Sequence, residues 1–230
     1  MRCLNKKGSH VGVIISFIIF VTFLVFIYSI SEPTIRVKES KDYMTIYINS
    51  ALEDYLSIQL NTTTILLSGQ SCVIVPNFKY NQKNLVVKNE NGQIVPFMKS
   101  GNNLIIDNSG ENFVKIYSSD EVFNDHSDNT ISGCVAIPEE YSMITSKNVV
   151  SYSNLLKTIA NFSNEYDSLK KTLEIPDDVD FSLKFKLVNG TSIETQTDEL
   201  NKNIYAEEFA VRYLDKDANI QTGMLTVKVW

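Results

Sequence analysis

The chain has 230 residues, 43% of them hydrophobic and 21% charged, with nine Gly and five Pro, so it is too apolar for disorder and too poor in Gly and Pro for a fibrous chain. A net charge of −6 and a mean hydropathy of −0.07 describe an acidic chain without the basic face that binding to nucleic acid requires. Both figures are averages over unlike parts: residues 1–10 carry +3 from Arg2, Lys6 and Lys7, residues 11–30 carry no charge, and the remaining −9 falls on residues 31–230.

Residues 11–30 are the first predicted element. Only Ser16, Thr22, Tyr28 and Ser29 bring polar side-chain atoms into this run, and fifteen of its twenty residues are Val, Ile, Leu or Phe. A helix of that length spans roughly 30 Å, the thickness of a bilayer's hydrocarbon core, and each large apolar residue favours insertion by about 0.3–0.6 kcal/mol. A soluble core helix of equal length without a charge is the weaker explanation. The basic leader precedes the span and should stay cytoplasmic, which sends the rest of the chain outside the cell. Phe17, Phe20, Phe23 and Phe26 recur every three residues, and Gly8 and Gly12 form a small-xxx-small pair suited to close approach of a second membrane helix.

The apolar run is longer than the 7–15 residues of a secretory signal, which favours a retained anchor. The string Lys6-Lys7-Gly8-Ser9, set immediately before the run, resembles the class III signal peptide of archaeal type IV pilin-like proteins. That resemblance implies cleavage between Gly8 and Ser9 by a signal peptidase of the prepilin type, with the apolar helix kept on the mature protein as anchor or filament core. Its implied partners are membrane lipid and other pilin-like or membrane helices. Bacterial-type pilins commonly carry Glu at the fifth mature position, where this chain has Val13.

Beyond the membrane, Glu32-Pro33 predicts an end to the apolar pattern, because the residue before a proline is biased away from helix. Residues 38–56 space Tyr43, Ile46, Tyr47, Ala51, Leu52 and Tyr55 for a helix, read as a stalk. From Ser57 the period changes to two, and further short strands are expected at residues 72–75, 85–87, 94–95, 104–106 and 113–117, with residues 85–95 forming a hairpin. Residues 118–133 read as loop. Leu155, Ile159, Phe162, Tyr166, Leu169 and Leu173 form one face of an amphipathic helix. Four antiparallel strands follow, at residues 181–187, after the Asn189-Gly190 turn, at 205–214 and at 224–230, the last pair flanking residues 215–219. The expected fold is α+β: a basic leader (1–10), a transmembrane helix (11–30), a stalk (31–56), an antiparallel β domain (57–140) and a helix plus antiparallel β domain (141–230).

Candidate sites are few. Asn61-Thr62-Thr63, Asn161-Phe162-Ser163 and Asn189-Gly190-Thr191 are N-glycosylation sequons, permissible on an exported surface. Cys72 and Cys134 are the only cysteines past the span; they could form a disulfide or be two small buried hydrophobes, while Cys3 would face a reducing compartment. Asp125-His126-Ser127-Asp128 offers metal-compatible side chains, but adjacent loop residues do not converge on an ion, so a solvated loop is the better reading. Asp215, Asp217 and Asn219 match the start of a calcium loop, but Ile220 and Thr226 stand where Gly and Glu are required, so a hairpin turn is expected. No phosphate loop, nucleophile elbow or metal motif is present, so the sequence predicts a non-enzymatic surface protein without a cofactor.

Overall fold

A computed structural model describes residues 9–67, 70–79, 81–107, 112–128, 131, 133–137, 142–196 and 203–230. The protein is α+β, with one long apolar helix leading into a β-rich sheet domain. Helix α1 runs from Ser9 to Leu56 without interruption, about 72 Å at 1.5 Å per residue. The break expected at Glu32-Pro33 does not occur. A proline removes one helical hydrogen bond, and here that local cost is outweighed by long helical segments on both sides.

The expected stalk is in part a core element. Thr45, Ile48, Leu52 and Leu56 recur at steps of three and four and are buried, each at 2% exposure or less. They pack with α2 (Tyr152–Thr172) and with strands β9 (Phe181–Lys186), β11 (Tyr205–Leu214) and β12 (Ile220–Val229), where Phe181, Phe185, Val211, Leu225, Val227 and Val229 point inward. Helix α2 carries the predicted face: Leu155, Ile159, Phe162 and Leu169 are buried, and Ser151 caps it by accepting the Asn154 N–H at 3.0 Å. Tyr166 reaches across to the start of β9, donating to Asp180 at 3.0 Å and accepting the Phe181 N–H at 3.2 Å. Burial above all pushes its hydroxyl up to about 12.

The remaining strands are β1 (Ser57–Leu66), β2 (Cys72–Val75), β3 (Leu85–Asn89), β4 (Phe97–Ser100), β5 (Asn103–Asp107), β6 (Phe113–Ser118), β7 (Val135–Ala136), β8 (Ser142–Ser151) and β10 (Ser192–Glu194). Eight strands form one sheet in the order β10-β9-β12-β11-β8-β1-β6-β3, and four form a second in the order β4-β5-β2-β7. A second core lies between the sheets, built from Ile65, Val73, Leu85, Val87, Phe97, Leu104, Ile106, Val114 and Ile116. Antiparallel pairing dominates, with parallel exceptions at β8–β11 and β2–β7.

The large sheet crosses the boundary expected at residues 140/141, because β1 pairs with β8 from Ser57↔Val150 to Ile65↔Ser142. A third apolar cluster crosses it as well, packing Leu60, Val86 and Phe123 against Val149, Leu214 and Ala218. Strand β8 has no counterpart in the expected elements, since residues 144–148 are all exposed and Val149, Val150 and Ser151 are buried in succession at its end, which leaves no alternation to read. The expected 85–95 hairpin closes through Val95 N–H to Val87 O at 2.9 Å and a Lys88↔Ile94 bridge, but the full ladder partner of β3 is β6.

Candidate functional site

The feature with the clearest chemistry is the first half of α1. The segment His10–Ile30 has a mean hydropathy of 2.8, and no part of it is buried within the protein. Phe17, Phe20, Phe23 and Phe26 stand 56–66% exposed. Two of its hydroxyls are satisfied within the helix: Thr22 donates to the Ile18 carbonyl at 3.0 Å and Ser29 to the Val25 carbonyl at 2.8 Å. Internal satisfaction of this kind is what an element without water around it needs. A Cβ on Gly12 would meet nothing within 4 Å, so this face is free for a neighbour. Ser9 is helical and is the first described residue; Gly8, with the rest of the leader, lies outside the described residues.

Past Ile30, polar contacts fix α1 in the domain as well as apolar ones. The Thr45 hydroxyl donates to the Glu207 carboxylate on β11 at 2.7 Å, and the Tyr47 hydroxyl donates to the Leu173 carbonyl at the end of α2 at 3.1 Å. The same helix is therefore a bare apolar rod at one end and a structural member of the sheet domain at the other.

Cys72 and Cys134 form a disulfide with their Cα atoms 4.6 Å apart, closing a sequence separation of 62 residues. It staples β2 to β7, whose pairing is otherwise only Val73↔Val135 and Ile74↔Ala136. The three sequons differ in setting. Asn189 lies in the exposed β9–β10 turn, where its Oδ1 accepts the Thr191 N–H at 2.9 Å and Gly190 adopts φ +86°. Asn161 is exposed on α2 beside Glu165. Asn61 is half-buried in β1, paired to β6 on one side and β8 on the other, and its side chain accepts from Ser146.

Two segments read separately as loop and turn meet in space. Asn124 donates its amide to Asp217 Oδ1 at 2.7 Å, His126 Nε2 lies 2.9 Å from the same oxygen, and the Asn124 N–H bonds to the Lys216 carbonyl at 2.9 Å. Asp215 Oδ1 accepts from the backbone of Asp217 and of Asn219, which shapes the turn. Lys88, from β3, donates to Asn219 Oδ1 and sits 5.4 Å from the Tyr117 ring centre. Burial holds the Lys88 ammonium below its usual range against the opposing pull of Asp215 and Asp217. The carboxylates that began a calcium-loop pattern are thus engaged with protein donors, and no cluster of three or more metal-binding side chains occurs among the described residues. No local signal could have joined His126 to Asp217 across 91 residues.

Beside this cluster, an open cleft of about 520 Å³ is lined by Ile58, Asp120, Glu121, Asn124, Ser153, Asn154, Lys157 and Lys216. Its acids and bases are mixed, and Glu121 is drawn to Ser151 at the cap of α2. No protein-family model, curated protein or solved structure matches the chain.

Proposed function

We propose that the protein is a non-enzymatic, single-pass membrane protein of the pilin-like type, processed between Gly8 and Ser9 and displaying its β-rich domain outside the cell for structural or adhesive contact. The observation that carries this reading is the double character of α1, apolar and bare over His10–Ile30 and locked into the domain core by Ile48, Leu52 and Leu56. A signal sequence would account for the first property but is usually dispensable to the fold, whereas the chain here commits the same unbroken helix to both. Thr45 lies fifteen residues past Ile30, which would hold its buried contact about 22 Å from the end of the span. The basic leader supports a cytoplasmic N-terminus, and the bonded Cys72 and Cys134 support an oxidising environment for the domain.

Intact-mass measurement of the membrane-extracted protein tests the reading. Removal of residues 1–8 gives Ser9 as the N-terminus and a mass lower by about 0.9 kDa. An intact Met1 overturns the processed, pilin-like reading and leaves an uncut anchored binding module.

A further inference from the structure

The large sheet is incomplete at one internal position. Strand β8 is paired along β1 from residue 142 to residue 150, and β11 is paired along β12 over its whole length. The two meet each other only at Tyr213↔Val150 and Leu214↔Ser151, in parallel. Residues 142–149 of β8 and 205–212 of β11 therefore face each other across a fork with no ladder partner among the described residues. Every second residue of such an edge directs its N–H and C=O sideways, and these groups must find water or another strand. Residues 144–148 are exposed and contain no proline, and Lys147 is the one charged side chain among them, so a strand bringing an acid to that position meets no block.

A cleft of about 300 Å³ occupies the narrow part of this fork, floored by Glu53 and Ser57 at the α1–β1 junction and walled by Lys147 and Asn148 on β8 and by Ala210 and Arg212 on β11. Lys147 and Arg212 form no ion pair among the described residues. Glu53 is bonded to Asn49, and Glu207, at the wide end, is bonded to Thr45. The narrow end thus sets two cations against one carboxylate, Glu53, and keeps a net positive charge for whatever enters.

We propose that this fork binds an extended peptide segment of a partner protein, inserted as a strand antiparallel to both β8 and β11, with acidic residues at its N-terminal end. Antiparallel insertion extends the pairing that β1 already makes with β8 and β12 with β11, and it turns a two-residue parallel junction into a continuous sheet. That direction puts the N-terminal end of the peptide beside Lys147 and Arg212, which is why acids are required there. The proposal does not depend on how the leader is processed.

The test uses the full chain in lipid nanodiscs and two fluorescent peptides, each carrying the β1 sequence of residues 57–66, one preceded by Glu-Glu and the other by Lys-Lys. The acidic peptide is expected to bind about three- to tenfold more tightly, as two modest charge contacts allow. Its binding should slow amide exchange at residues 143–148 and 206–211. The double variant Lys147→Gln/Arg212→Gln should erase the preference, and Lys147→Glu/Arg212→Glu should reverse it, with circular dichroism showing each variant folded. Failure of both peptides to bind, equal binding by both, or protection elsewhere overturns the proposal. So does a concentration-dependent dimer in which the β8 edge is already protected, since a second copy would then be the occupant.

Discussion

The core around α1 and α2 is closed by long elements and aromatic rings, whereas the core between the two sheets is almost wholly aliphatic and depends on short strands. In the first, Phe162 meets Phe181 edge-on with ring centres 5.3 Å apart, Phe185 meets Tyr213 edge-on at 5.4 Å, and a helix of 21 residues spans the group. In the second, β2, β4, β5 and β7 have two to five residues each, and Phe97 is the one aromatic residue in its fully buried set. Long elements bury a large surface for each loop that must be ordered; short ones do not, and there the disulfide limits the freedom of the unfolded chain instead.

The largest way to break this contrast is Phe181→Ala. The side chain is fully buried against Phe162 and Tyr166, so its loss should cost about 3–5 kcal/mol in denaturant unfolding. The loss should spread through the helical core and leave the disulfide intact. Cys72→Ser should cost about 2–4 kcal/mol and act oppositely, increasing amide exchange in β2, β5 and β7 while α2 stays protected. An equal loss of protection in α2 would show that the two cores unfold as one unit. Gly223→Ala should cost about 1–3 kcal/mol, because the added Cβ would meet the Phe185 ring and lie 2.9 Å from the Lys186 carbonyl across the ladder. Ser151→Ala removes the α2 cap and should cost about 1 kcal/mol, measured by thermal unfolding.

The smallest expected effect is a pH dependence at the turn that joins the halves. Burial raises the Asp217 carboxyl, but the bonds from Asn124 and His126 and the charges of His126 and Lys88 outweigh it and hold the group below the usual carboxylate range. The folded state then binds this proton more weakly than the unfolded chain. Its contribution is complete at neutral pH and is lost as pH falls through the lowered value. Asp217 is 38% exposed, so solvent screens the effect. Urea midpoints between pH 6 and pH 3 should fall less for Asp217→Asn than for the unaltered protein.

Much of the local structure was legible because it is periodic. The 4, 3, 4, 3, 4 spacing from Leu155 to Leu173 became α2 and its C-terminal cap residue, and the alternation after Ser57 became β1. Asn189-Gly190 became a turn because only a positive φ closes so short a connection. Strand β8 escaped notice because its exposure erases the pattern, and the continuity of α1 through Pro33 escaped because a local rule was overruled by what lies on either side. Of the candidate residues, the span and the cysteines could be picked out by composition. The meeting of Asn124, His126, Lys88 and Asp217 could not, since no spacing rule connects residues so far apart.

The sequence by itself determined an apolar segment of membrane length, a basic tip, an acidic remainder and the position of most strands and of α2. These are properties of composition and short period, which each stretch of chain carries alone. Tertiary structure decided that α1 is both rod and core, that one sheet links the two cores, that Cys72 meets Cys134, and that β8 and β11 part after two residues. Each of these depends on which distant backbone edges and apolar faces find each other, and that choice is made by the summed burial and pairing of the whole chain.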